Sequence, residues 1–309
     1  MNKEEFNELY ETLKKSKFKQ QKLPGWRPTP TLSCITIIFI SFSIFFIIFG
    51  ILILVFIAQV KEIKIRYDDY CYDQVYRNVS RYINCSIIIT ATEKMAKPIM
   101  IYYQIDDFSQ NHRVYMDSKS DKQLNGEEVS KEDLEKSGVC ENALLNKDIP
   151  NGLEQEEVAI PCGLMAKSYL RDRFFNWKIN GEDIEPKVED IVYKTDKEKY
   201  GNVEYNPEKH WINMTDEHFM IWMRPNPFAN PRKLWGIIEE EDIEKDSTIS
   251  LTIENNNYIT YKKYIILSTR NVFGGKNSFL GICYLIFGII CLTSSVVFIN
   301  AYNVFHRKK

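Results

Sequence analysis

Two stretches of this chain carry no charge at all, and they limit its fold more than anything else in it. Residues 28–60 contain no Asp, Glu, Lys, Arg or His, and neither do residues 277–305. Within the first, 35–58 is a run of 24 residues interrupted only by Thr36, Ser41, Ser43 and Gly50. As a helix that run is about 36 Å long, enough to cross a hydrocarbon layer of roughly 30 Å with some tilt. The second, 279–299, is nearly as apolar. A mean hydropathy of −0.31 looks like a soluble protein, but the average conceals both segments. A cleavable leader has an apolar core of roughly 7 to 15 residues before a small-residue cleavage site. Here the core is longer and Gln59-Val60-Lys61 follows it, so retention as a span is expected.

Basic residues beside a span resist translocation and so set its orientation. Residues 1–30 hold Lys3, Lys14, Lys15, Lys17, Lys19, Lys22 and Arg27, and the chain ends His306-Arg307-Lys308-Lys309. Both termini are therefore expected in the cytosol. The reading is a cytosolic tail over 1–30, a transmembrane helix over 31–60, a lumenal or extracellular β-rich domain over 61–276, a second transmembrane helix over 277–303 and a short cytosolic tail over 304–309. Residues 61–276 hold 30 basic and 38 acidic residues, 30 − 38 = −8, so the external domain is acidic while both ends are basic. With a net charge of −2 overall, nucleic acid is a poor candidate partner.

The cysteines agree with that layout. Cys34, Cys283 and Cys291 fall in or beside the spans, whereas Cys71, Cys85, Cys140 and Cys162 lie in the segment expected to face an oxidising compartment. Four cysteines allow three pairings; short local loops favour Cys71 with Cys85 and Cys140 with Cys162, without excluding the others. Three N-x-S/T acceptors, at Asn78, Asn84 and Asn213, fall in the same segment.

Phe6, Leu9, Tyr10 and Leu13 have the i, i+3, i+4, i+7 spacing of an amphipathic helix, followed by lysines. Two readings stand: a tail held near acidic membrane lipids by its lysines, or a docking helix for a cytosolic partner domain. Pro24, Pro28 and Pro30 end that helix, and Trp26 sits where an interfacial anchor is expected. The external domain reads as β-structure, with candidate strands at 86–92, 98–105, 248–254 and 258–269. Asn255-Asn256-Asn257 is read as the hairpin turn joining the last two. The charged region 117–210 reads as surface loops and short helices over the sheet. The fold class is thus a membrane protein whose two transmembrane helices flank a mainly antiparallel-β external domain with disulfides and short helices.

Neither span contains an ionisable side chain, so an ion relay through this chain alone is not expected. Instead each carries small residues one heptad apart: Thr36, Ser43 and Gly50 in the first, Gly281, Gly288 and Ser295 in the second. Small faces allow close backbone approach in lipid and are read as partner-interface candidates. No G-x-S-x-G elbow, H-E-x-x-H pair or phosphate-binding loop occurs. His112, His210 and His218 are too differently framed for a zinc site, and Glu239-Glu240-Glu241-Asp242 reads as a solvated acidic face. No cofactor, metal or enzymatic activity is expected of the chain itself.

Several ordered segments are more specific: Phe18-Lys19-Gln20-Gln21-Lys22-Leu23-Pro24, Ile101-Tyr102-Tyr103 leading to Asn111-His112-Arg113, Gln123-Leu124-Asn125-Gly126, Pro161-Cys162-Gly163, Ile221-Trp222-Met223-Arg224, and Leu267-Ser268-Thr269 with Gly274-Gly275-Lys276-Asn277 and Phe279-Leu280-Gly281. Over about 18–305 this resembles the cell division control protein 50 family, the accessory β-subunits of type IV P-type ATPases. The resemblance implies a non-catalytic subunit and chaperone that accompanies a phospholipid-flipping ATPase out of the endoplasmic reticulum and supports its cycle. It also implies a disulfide between Cys140 and Cys162, a tight turn at Gly274, Gly275, Lys276 and Asn277 before the second span, and packing roles for Trp222 and Arg224. The chain lacks the D-K-T-G phosphorylation motif, so ATP hydrolysis falls to the catalytic partner. The competing reading is a trimeric two-span ligand-gated ion channel, with Thr293, Ser294, Ser295 and Asn300 as its polar lining.

Overall fold

The computed structural model describes residues 3–22, 30–69, 71, 82–149, 153, 154, 156–200, 203–256 and 261–307. The chain divides into two compact units, one running to Leu52 and resuming at Phe279, the other Ile53–Ser278. Trp26, Pro24, Pro28, Asn78 and Asn257 lie outside the described residues.

The first unit holds helix α1 (Lys3–Lys15) and most of helix α2 (Leu32–Ala58), together with the last helix of the chain (Phe279–Arg307). The second and last of these are long and apolar enough to cross a membrane, with mean hydropathies of 3.1 over Leu32–Ala58 and 2.5 over Phe279–Val304. Both are apolar all round, which suits lipid and no other solvent. The protein is a membrane protein.

The second unit is built on two antiparallel sheets. Its strands are β1 (Glu62–Arg66), β2 (Tyr82–Thr90), β3 (Ile99–Ile105), β4 (Arg173–Ile179), β5 (Glu182–Asp183), β6 (Arg232–Ile238), β7 (Thr248–Asn256) and β8 (Lys263–Thr269). One sheet has the order β1-β8-β3-β6 and the other β2-β7-β4-β5. Along β2, Cys85, Ile87 and Ile89 are buried while Asn84, Ser86, Ile88 and Thr90 are exposed, so only one face meets the core. Residues from both sheets, among them Ile87, Leu251 and Ile253 from one and Ile101, Ile265 and Leu267 from the other, share one apolar core.

Short helices fill the connections: α3 (Arg113–Asp117), α4 (Asp121–Leu124), α5 (Lys131–Ser137), α6 (Leu164–Lys167), α7 (Lys194–Tyr200) and α8 (Glu217–Met223), so that Phe279–Arg307 is α9. Their ends follow capping chemistry. Ser130 accepts the Asp133 amide at 3.2 Å to start α5, and Gly138, at φ 67°, ends it. A smaller core under these helices gathers Leu134, Cys140, Ala143, Ile149, Ala159 and Cys162.

Two expectations need correction. The asparagine triplet is not a hairpin turn: β7 and β8 belong to different sheets, and β7 stays paired through Asn256, which lies opposite Tyr82. Asn255 is buried and is therefore unsuited to a solvent-facing turn. The region 117–210 is not only loops and short helices, since β4 crosses it and pairs with β7. The pattern of β4 is broken between Phe175 and Lys178, where the register shifts and Asn176 adopts φ 52°, so strict alternation fails there.

Candidate partner-binding surfaces

The heptad-spaced small residues become legible once the two long helices are built. Ser43 and Ser295 are each 1% exposed, Thr36 is nearly as buried, and Gly50, Gly281 and Gly288 are buried too. A Cβ on Gly50 would come within 2.9 Å of Leu285 Cδ2, and one on Gly288 within 2.7 Å of Ile47 Cγ1. Each glycine thus receives a large side chain from the opposite helix. Two of the hydroxyls bond within their own helices: Thr36 donates to Leu32 O at 2.8 Å and Ser295 to Leu292 O at 2.7 Å. Phe39 with Phe298 and Phe46 with Tyr284 stack edge to face at 5.4 and 5.5 Å. Within the chain, the two long helices thus meet at Gly50 and Gly288 of this small-residue stripe. The faces left open are large and apolar, including Ile37, Ile44, Phe45 and Ile48 on α2 and Phe287, Ile290 and Val297 on α9.

On α1, Phe6 and Leu9 are about half exposed with Tyr10, and Leu13 is partly buried. Cys34 is exposed, and Cys283 and Cys291 are partly buried; all three are free thiols.

In the second unit Cys71 bonds Cys85 and Cys140 bonds Cys162, with Cα separations of 5.4 and 5.7 Å. Around Cys162 the sequence motifs converge. Its amide donates to Gln123 Oε1 at 2.9 Å, the Leu164 amide to Ser118 Oγ at 2.9 Å, and the Gly163 amide to Ala143 O at 2.9 Å. Gly163 is obligatory: it sits at φ 104°, and a Cβ there would lie 2.2 Å from Ser118 O. Trp211 Nε1 donates to Pro161 O at 2.7 Å, and Trp222 Nε1 to Met165 O at 2.8 Å. Trp222 is fully buried, while Arg224 lies at the surface, over the Tyr193 ring at 4.2 Å and 3.3 Å from Asp196. Beside them Lys233 is buried and donates to the carbonyls of Trp222 and Arg224 at the end of α8. Burial, reinforced by the charge of Arg224, brings its amine down to about 7.

The histidines are dispersed. His112 is exposed, His210 Nδ1 accepts the Asn206 amide at 3.0 Å, and His218 Nε2 meets Trp235 O at 2.7 Å. Among the described residues no cluster of His, Cys, Asp or Glu has the makings of a metal site.

One constellation escaped sequence reasoning. Lys263 and Asp172 form an ion pair at 2.9 Å with side chains 1% and 0% exposed. Tyr67 donates to Asp172 Oδ2 at 2.7 Å and Lys263 to Asn255 Oδ1 at 2.8 Å. Burial, with the neighbouring Asp172 charge, holds the Tyr67 hydroxyl well above its usual range. Nothing local marks these residues, which come from four separate segments.

The turn before α9 is set by Gly274, at φ 98°, and by paired backbone bonds between Asn271 and Gly274 of 2.9 and 3.0 Å. Asn271 Nδ2 donates to Phe56 O at 2.6 Å, and Phe273 packs on Phe56 with centroids 5.7 Å apart. The turn therefore gives the Phe56 carbonyl near the end of α2 a second donor, beside the Gln59 amide at 3.2 Å. Gly275 is partly buried, and Lys276 and Asn277 are exposed. Asn84 is exposed on β2, and Asn213 is partly exposed with its Oδ1 held by Thr215.

A two-span membrane protein carrying a disulfide-braced, double-sheet domain between its spans is a narrow class. The profile of the LEM3 (ligand-effect modulator 3) family / CDC50 family matches residues 53–308, and the chain belongs to that family. It is 34% identical to ALA-interacting subunit 3 of Arabidopsis thaliana, over 96% of this chain and 87% of that protein. It is 31% identical to cell cycle control protein 50A of Mus musculus, over 91% and 86%. It is also 26% identical, over 96% and 84%, to a Saccharomyces cerevisiae protein named phospholipid-transporting ATPase accessory subunit LEM3.

Proposed function

We propose that this chain is the non-catalytic β-subunit of a type IV P-type ATPase, serving its export from the endoplasmic reticulum and its ATP-driven movement of phospholipid to the cytosolic leaflet. The single observation carrying this reading is family membership across both the disulfide-braced domain and the second span, with relatives named an ALA-interacting subunit and a phospholipid-transporting ATPase accessory subunit. The physical features support it. Two spans without an ionisable group offer no path for a charge or headgroup, and their small faces close on each other, leaving apolar outer faces for the transmembrane helices of a partner. Both termini lie in the cytosol, the 61–276 domain faces the lumen or exterior, and the complex resides in membranes of the secretory pathway. Phe6, Leu9 and Leu13 of α1 then meet the ATPase's cytosolic domains, and the 274–277 turn meets it at the far membrane surface.

Purification of the tagged chain in mild detergent, followed by mass spectrometry of stoichiometric partners, tests this. Recovery of a type IV P-type ATPase at about 1:1 is expected; a self-assembled trimer without an ATPase would overturn the reading.

A further inference from the structure

The second unit contains a cleft of about 720 Å³ whose walls include Tyr169, Phe174, Tyr205, Trp211 and Trp235. That volume falls within the range of small-molecule sites, which combine apolar walls with a few placed polar groups. The polar groups are present. Arg171 lies over the Trp211 ring at 4.7 Å, and Asp216 and His218 also line the cleft. Tyr103 lines it as well, and its hydroxyl is buried with no hydrogen-bond partner among the described residues. A buried hydroxyl left unpaired is costly, so an occupant able to bond it is favoured.

Asn213, the acceptor of the Asn213-Met214-Thr215 sequon, is itself part of the lining. Its Oδ1 accepts from the Thr215 amide at 2.9 Å and from the Thr215 hydroxyl at 2.7 Å. Those bonds fix the carboxamide through its oxygen and leave the nitrogen, the atom that carries an N-linked sugar, uninvolved in them. An N-acetylhexosamine has an apolar face of C–H groups that stacks on aromatic rings, and hydroxyl and acetamide groups that bond Arg and Tyr.

We propose that the cleft is the seat of the chain's own N-linked glycan at Asn213, with the proximal sugars packed against its aromatic wall. The proposal rests on the external placement of the 61–276 domain. Seating keeps the sugar chain against the fold and shields the glycosidic bond between its first two sugars.

The test uses the full chain expressed in a secretory host, with glycopeptide mapping and then native digestion by an endoglycosidase that cuts between those two sugars. If the seat is occupied about nine-tenths of the time, cleavage at Asn213 runs about tenfold slower than at exposed Asn84. Trp211→Ala should abolish the difference. Because Trp211 also bonds Pro161, Tyr205→Ala is the second variant, and it should at least halve the protection. Equal cleavage at Asn213 and Asn84 would overturn the proposal, as would protection that neither variant reduces. An unmodified Asn213 overturns it too, and Asn84 then separates the causes: a glycan on Asn84 leaves the external placement standing, while its absence removes both.

Discussion

The helix pair and the double-sheet domain face the same problem, holding distant segments together, and answer it with opposite chemistry. Between α2 and α9 contact depends on what is missing, since Gly50 and Gly288 leave room for Leu285 and Ile47 and the Thr36 and Ser295 hydroxyls turn back on their own helices. In lipid there is no apolar surface to hide from water, so close fit is the available source of affinity. The sheet domain relies on apolar burial, two disulfides and a buried ion pair. The difference predicts separate vulnerabilities: added volume breaks the pair, while lost charge or lost oxidation breaks the domain.

The largest effect is expected at Asp172. Replacing it with Ala leaves Lys263 buried without its counterion, a loss of roughly 3–5 kcal/mol. Chemical unfolding of the purified chain measures it, and the Asp172→Leu, Lys263→Met double variant should recover much of the loss. Cys140→Ser together with Cys162→Ser should cost roughly 2–4 kcal/mol in the same assay, and reductant should mimic it. If either change disrupts the helix pair as much as the domain, the contrast fails. Gly288→Leu should act on the other region, costing the pair roughly 1–3 kcal/mol by overpacking while leaving the domain's unfolding midpoint alone. Oxidative cross-linking of a Gly50→Cys, Leu285→Cys variant reads that separation directly.

A separate effect concerns pH and is read as a slope. Folded Lys233 loses its proton above about 7, whereas the unfolded chain keeps it up to the ordinary value of 10.5. Between those limits the unfolded state holds more protons, so this group makes stability rise with pH, and below about 7 its slope vanishes. Lys233→Met should flatten that rise; an unchanged slope would mean that the amine is not depressed.

The spans were legible because 24 nearly unbroken apolar residues have few other uses. Strands β2, β3 and β7 were legible from their short β-branched runs. The strand Arg173–Ile179 was hidden by its register shift, and Glu62–Arg66, although it alternates, was missed as a five-residue run directly after the first span. The small-residue stripe was legible as a contact face, but periodicity marks such a face without naming what it contacts. The Lys263 cluster was invisible for a more general reason: its members are far apart in sequence and each, alone, resembles a surface residue.

That cluster also ties together distant parts of the chain. Tyr67 follows the first strand, Asp172 precedes the fourth, and Asn255 and Lys263 belong to β7 and β8, one from each sheet. The lysine cannot leave water cheaply until nearly 200 residues beyond Tyr67 have been synthesised and the sheets have met. Burial of that one ion pair therefore requires both sheets to be in place, so it is expected to report on the completeness of the whole domain.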